Sequence, residues 1–422
     1  MSEPGEFEAQ PDPLTSEPSG EPQPAPLTDR PTETSFTSPT EIPTSPDRSQ
    51  SEPPEEAAPK QKSERPQIPG PGLLMALMWV LSVFVIHLAG IFAASVALFA
   101  TNVDILKQVA ANPRAAEEIV MPFLKDSTFF IMAGEMLVFV LAAVLVTRLK
   151  HGPNTTRVLG LRRIPFPSLL LIVVSVLPLS VLCSGLHEKV LPVWDAIAKE
   201  YPQLDVFGGL NVNQQLSPMG ESVPAWALLL VIAVAPAIGE ELFFRGIIGH
   251  GLVARYGITV GVFATSVYFA AVHMHPAHAL TLMPLAMFMH LSWLATRSFY
   301  APVLIHFLNN GLAVFALSNS TRLKEAAEAT GELEAHWATM AVATVALIPA
   351  AIALWKSRVE FRFADGSTWS PGYDTASSPP AGVDAIPVTE PGSPAMYGAG
   401  LFLCGGISLL FITSTTMALL QK

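Results

Sequence analysis

Apolar and polar positions alternate along this chain in blocks of membrane length. Residues 1–70 carry no helical or strand period and read as a disordered, extended acidic tail rich in Pro, Ser, Thr and Glu. Uninterrupted apolar runs follow at about 73–101, 127–147 and 167–186. A fourth starts near Val223, a fifth follows Gly257, and others cover about 278–296, 300–319, 337–355 and 395–420. Runs of this length predict an all-α, polytopic transmembrane helical bundle of eight or nine spans. The predicted organisation is a tail over 1–70, a transmembrane domain over 73–356 with its core at about 155–320, a flexible Pro/Ser/Gly-rich loop over 357–394, and an additional C-terminal transmembrane helix over 395–422.

Composition supports this. Half of the 422 residues are hydrophobic and 14% are charged, against about 25% charged in soluble domains; mean hydropathy is +0.42. The net charge of −11 lies mostly in the tail, with 14 acidic and 5 basic residues in 1–70. The rest is nearly neutral, and nothing in it suggests a nucleic-acid partner. Arg148, Lys150, Arg157, Arg162 and Arg163 occupy 148–167 without an acid. By the positive-inside rule that loop, and with it the N-terminal tail, is expected in the cytoplasm. The two cysteines, Cys183 and Cys404, sit inside apolar runs and read as packing residues.

Ionisable groups inside such runs are costly and point to function. Glu240-Glu241-x-x-x-Arg245 lies at the far end of the fourth run. On a helix Glu241 and Arg245 share a face and can pair, which makes them a supporting pair. Glu240 points about 100° away, with no partner inside the motif, and is the candidate general base. Phe269-x-x-x-His273 lies in the fifth run and His306-x-x-x-Asn310 in the seventh. If the chain turns near Gly257, Glu240 and His273 lie 17 and 16 residues from that turn, roughly 24–26 Å on each side. They can then face each other. His306 follows the start of its span by only a few residues, so its depth is open.

Converged, these residues could hydrolyse a peptide bond. Glu240 takes a proton from water, His273 holds that water, and His306 with Asn310 donates to the oxyanion. The cofactor is unknown. Zn2+ or another divalent metal is an option, with Glu240, His273 and His306 as its ligands, although His-Glu-x-x-His is absent. Two other readings stand beside hydrolysis: a non-catalytic membrane scaffold or immunity-type protein, and a proton-coupled transporter that uses the buried carboxylates. Glu135 is a lone carboxylate in the second run. His87, His250, His275, His278 and His290 read as packing or interfacial residues.

The ordered trio resembles the type II CAAX prenyl endopeptidase family, also called the CPBP or Abi family. Arg157-Val158-Leu159-Gly160-Leu161-Arg162 is similar to a stretch often found upstream in that family. The resemblance implies an intramembrane endopeptidase, often labelled a metalloprotease, acting on membrane-associated or lipidated protein substrates at the bilayer. It covers about 220–320, and less of the chain from 155.

Overall fold

The computed structural model describes residues 68, 70–210, 216–323, 325, 337–374 and 378–420. The predicted acidic tail lies almost wholly outside them. Among the described residues, nine helices carry the fold. They are α1 (Leu73–Thr101), α2 (Thr128–His151), α3 (Phe166–Glu200), α4 (Ala235–Phe243), α5 (His250–Ala271), α6 (Pro276–Thr296), α7 (Tyr300–Ser318), α8 (Trp337–Lys356) and α9 (Pro394–Leu420). Eight helical stretches among the described residues are long and apolar enough to cross a membrane. One of them, Ala225–Ala271, holds both α4 and α5 and is bent back at Gly257. The protein is an integral membrane helical bundle.

Packing follows burial. α1 lies against α2, and α2 against α4. α3 packs on α6, α8 and α9, and α5 and α7 both flank α6. The largest buried cluster joins Phe139 of α2, Leu171 and Ile172 of α3, Phe243 of α4, Phe269 of α5, Met289 of α6 and Ile305 of α7. Peripheral helices instead leave large apolar side chains exposed, such as Leu74, Phe92, Leu149 and Phe402. That surface suits lipid, because burial in hydrocarbon and burial in protein are both open to an apolar side chain.

Gly257 is the turn that makes two antiparallel arms from one stretch. Its φ of 76° and ψ of 173° belong to a region essentially reserved for glycine. Just beyond it, the arms approach so closely that a Cβ on Gly261 would stand 2.5 Å from Val253 Cα. Gly257→Ala is expected to destabilise the protein by about 1–3 kcal/mol. Thermal unfolding in detergent measures this against Gly311→Ala, a helical position where the added methyl meets only Leu229 Cδ1 at 3.7 Å.

Three stretches differ from the sequence expectation. α3 runs to Glu200, well past the predicted end near 186, because Val190, Leu191, Trp194 and Ile197 keep apolar positions at helical spacing. The connection between α1 and α2 folds into two short helices, Val103–Ala111 and Ala116–Asp126. The segment 357–394, read as a flexible loop, contains an antiparallel strand pair, β1 (Val359–Arg362) and β2 (Ile386–Thr389), with Val359 opposite Thr389 and Arg362 opposite Ile386. Phe361 anchors the pair. Its ring meets Trp369 edge-on at 6.1 Å and carries the Arg162 guanidinium at 5.1 Å. Alternation over four residues was too short a signal among Pro, Gly and Ser to read as a strand.

Candidate functional site

The candidate site is built on α4. A π-helical turn, Leu229–Val234, precedes it and another, Phe244–Gly249, follows. Such turns are rare and frequent at functional sites. Pro236 gives a local reason for the first. It has no N–H to offer the Ile232 carbonyl in a regular helix, and Asn310 Nδ2 on α7 donates to that carbonyl at 3.0 Å instead.

Glu241 and Arg245 are fully buried. Arg245 Nη1 donates to Glu241 Oε1 at 2.8 Å, and Nη2 donates to the Ala286 carbonyl of α6 at 3.1 Å. His306 Nδ1 also meets Glu241 Oε1, at 3.2 Å. Glu241 therefore ties α4 to α7, while Arg245 ties it to α6. Glu240 is buried too, and its Oε2 has no hydrogen-bond partner among the described residues. Its electrostatic neighbours are His306, His87, Glu241 and Arg245.

Phe269 is the hub between the motifs. Its ring lies 5.4 Å from that of His273 and 5.7 Å from that of His306, and Arg245 sits over it at 5.1 Å. His273 follows the end of α5. Its Nδ1–H donates to the Phe269 carbonyl at 3.1 Å, which leaves Nε2 for another partner. The chain then leaves the helix through Met274, a non-glycine residue with a φ of 58°. Backbone in this region is uncommon and clusters at functional sites.

The level of His306, left open by the sequence, follows from where the α6–α7 connection docks, which is short of the Gly257 turn. The connection between α6 and α7 docks on the loop after Leu159, where Phe299 N–H donates to the Gly160 carbonyl at 3.1 Å and Ser298 Oγ donates to the Arg162 carbonyl at 2.6 Å. Leu159 in turn packs on Gly246, with Cδ2 2.8 Å from where a Cβ would be. Gly246 is 11 residues short of Gly257, roughly 16 Å along a helix. From that level, His306 lies six residues into α7 and Glu241 five residues back along its own chain. Both are therefore roughly 8–9 Å deep, and they meet.

Asn310 is placed one turn further on. Besides the bond to Ile232, its Oδ1 accepts from Asn309 Nδ2 at 3.2 Å, and Asn309 Oδ1 accepts from Ser180 Oγ at 2.8 Å. This chain of amides joins α3, α7 and the turn before α4. Asn309, next to the motif, is part of it.

Two further side chains near the site had no partner or role in the sequence, where Glu135 was a lone carboxylate and His87 a packing or interfacial residue. His87 of α1 and Glu135 of α2 lie 2.6 Å apart, Nδ1 to Oε1. Glu135, alone in the sequence, thus has a partner. The legible sign was in the small residues beside them, Gly90 and Gly134, which let α1 and α2 approach. A Cβ on Gly90 would stand 3.1 Å from Glu135 Cα, and one on Gly134 would stand 2.7 Å from the Ala94 methyl.

Among the described residues, no three His, Cys, Asp or Glu side chains are arranged to hold a metal ion. His273 and His306 have their Nδ1 atoms engaged, with Phe269 and Glu241, and each keeps Nε2 for another partner.

The fold and site define a polytopic helical membrane protein with a buried carboxylate–histidine cluster between its central helices. Residues 222–312 match the family model for Type II CAAX prenyl endopeptidase Rce1-like, which supports the likeness carried by the three motifs. The match supports protease activity of the CAAX type in general terms, with a protein substrate in a membrane setting. No curated protein and no solved structure matches significantly.

Proposed function

We propose that the chain is an intramembrane endopeptidase that hydrolyses peptide bonds of membrane-associated or lipidated proteins with water activated by Glu240. The observation that carries this reading is the convergence of three separated motifs on one buried locus, with Phe269 between His273 and His306 and Glu240 beside them. Glu240 takes a proton from water as the water oxygen attacks the scissile carbonyl carbon. His273 Nε2 holds that water. In this scheme His306 acts as an imidazolium, donating Nδ1–H to Glu241 and Nε2–H to the developing oxyanion, so a buried carboxylate orients the ring. Asn310 acts in this scheme chiefly by tying α7 to the turn before α4, and its second amide hydrogen is the further oxyanion donor. No step uses a metal.

The test is proteolysis by the purified full chain in liposomes. A farnesylated CAAX peptide and unmodified membrane-protein peptides are offered, with Glu240→Gln as control and with and without chelator. The expected result is cleavage that survives chelation and is lost in Glu240→Gln. Cleavage of the farnesylated peptide alone assigns prenyl processing, whereas cleavage of the others assigns broader proteolysis. Activity abolished by chelator and restored by Zn2+ would overturn the metal-free mechanism. Cleavage of none of the substrates would return the scaffold reading to first place.

A further inference from the structure

His87 and Glu135 stand on two helices outside the family match, yet His87 lies within electrostatic range of its catalytic candidates. The His87 ring stacks on Phe139 with centroids 4.2 Å apart and planes at 26°. Phe139 is fully buried and presses on Gly239, where an added Cβ would stand 2.5 Å from Cε1. Only one aromatic ring therefore separates the imidazole from the backbone next to Glu240. His87 is an electrostatic neighbour of both Glu240 and His273. Its side chain and that of Glu135 retain 23% and 14% of their exposure, little for a polar pair on helices that otherwise expose apolar side chains.

A histidine held at Nδ1 by a carboxylate keeps a fixed ring orientation and offers Nε2 to chemistry. The proposed hydrolysis has a use for such a group. Glu240 takes a proton in the first half of the reaction, and the amine nitrogen must receive one before the carbon–nitrogen bond breaks. We propose that His87, oriented by Glu135, is a further catalytic residue that carries the proton from Glu240 to the leaving nitrogen. This rests on the protease reading above. Water attack forms the carbon–oxygen bond and puts one proton on Glu240. The proton passes to Nε2 of His87, whose Nδ1–H stays on Glu135. The tetrahedral intermediate then collapses, the carbon–nitrogen bond breaks, and the nitrogen takes the proton from Nε2. The products are a carboxylic acid and an amine, and Glu240 and His87 return to their starting forms.

The test uses the farnesylated peptide, or whichever membrane peptide the wild type cleaves, and the same peptide with a thioester in place of the scissile amide. A thiolate departs without being protonated; an amine does not. His87→Ala and His87→Gln are expected to lower amide hydrolysis by about 100-fold or more, the usual scale for a positioned proton donor. Thioester hydrolysis should fall less than about 3-fold on the same reasoning. Glu135→Gln should lower the amide rate selectively as well, by less. Equal losses on both substrates would make the pair structural, and an unchanged amide rate would leave Glu240 as its own carrier; either overturns the proposal. Glu240→Gln separates the two levels, because it should abolish both reactions. If it abolishes neither, the protease reading itself fails, whatever His87 does.

Discussion

Glu240→Gln is expected to lower peptide hydrolysis by about 10²–10⁴-fold while leaving stability nearly unchanged. The two halves of this expectation come from one environment. Glu240 is buried, and its Oε2 makes no hydrogen bond to the described protein. Glutamine keeps the size of the side chain and removes an ionisable group from a poorly solvated place, so packing and solvation do not suffer. What it loses is the capacity to accept a proton from water. Glu240→Asp keeps that capacity but withdraws the carboxylate by one methylene, and it should recover part of the rate. Steady-state hydrolysis and a thermal melt of each variant in the same detergent check both halves. A variant that melts far below the wild type would make Glu240 a structural residue.

The adjacent pair should behave in the opposite way. Arg245→Met is expected to cost about 3–5 kcal/mol of stability, the scale for breaking a buried ion pair from one side. Glu241 and Arg245 are both 0% exposed. Removing the guanidinium strands the Glu241 carboxylate without its nearest cation and takes the side-chain donor from the Ala286 carbonyl. Glu241→Gln combined with Arg245→Met removes both charges, and the double variant should be more stable than Arg245→Met alone. Activity does not recover with it, because His306 then lacks the carboxylate that orients its Nδ1. Chemical denaturation in mixed micelles gives the cycle. Simple additivity of the two single losses would mean that the pair does not act as a unit.

Glu240 and Glu241, adjacent in sequence, thus stand in different surroundings, and helical geometry made that legible in advance. Four residues along a helix bring Glu241 over Arg245, and one residue does not bring Glu240 there. The chain bends back at Gly257, where the sequence reading supposed a turn, and Glu240 and His273 lie 17 and 16 residues from it, at similar levels if the rise is fixed. The match over residues 222–312 agrees with motifs read one span at a time.

Hydropathy and spacing therefore carry the membrane bundle and the Glu241–Arg245 pairing, since each depends on contacts within one helix or on length alone. Other features depend on how separate helices are docked. His306 meets Glu241 because the α6–α7 connection rests on the Leu159–Arg162 loop at the level of Gly246, short of the Gly257 turn. Asn310 binds Ile232 because Pro236 cannot. His87 finds Glu135 because Gly90 and Gly134 let α1 and α2 close together. Such contacts join residues 48 to 78 positions apart, and no local period encodes which faces of two helices will meet.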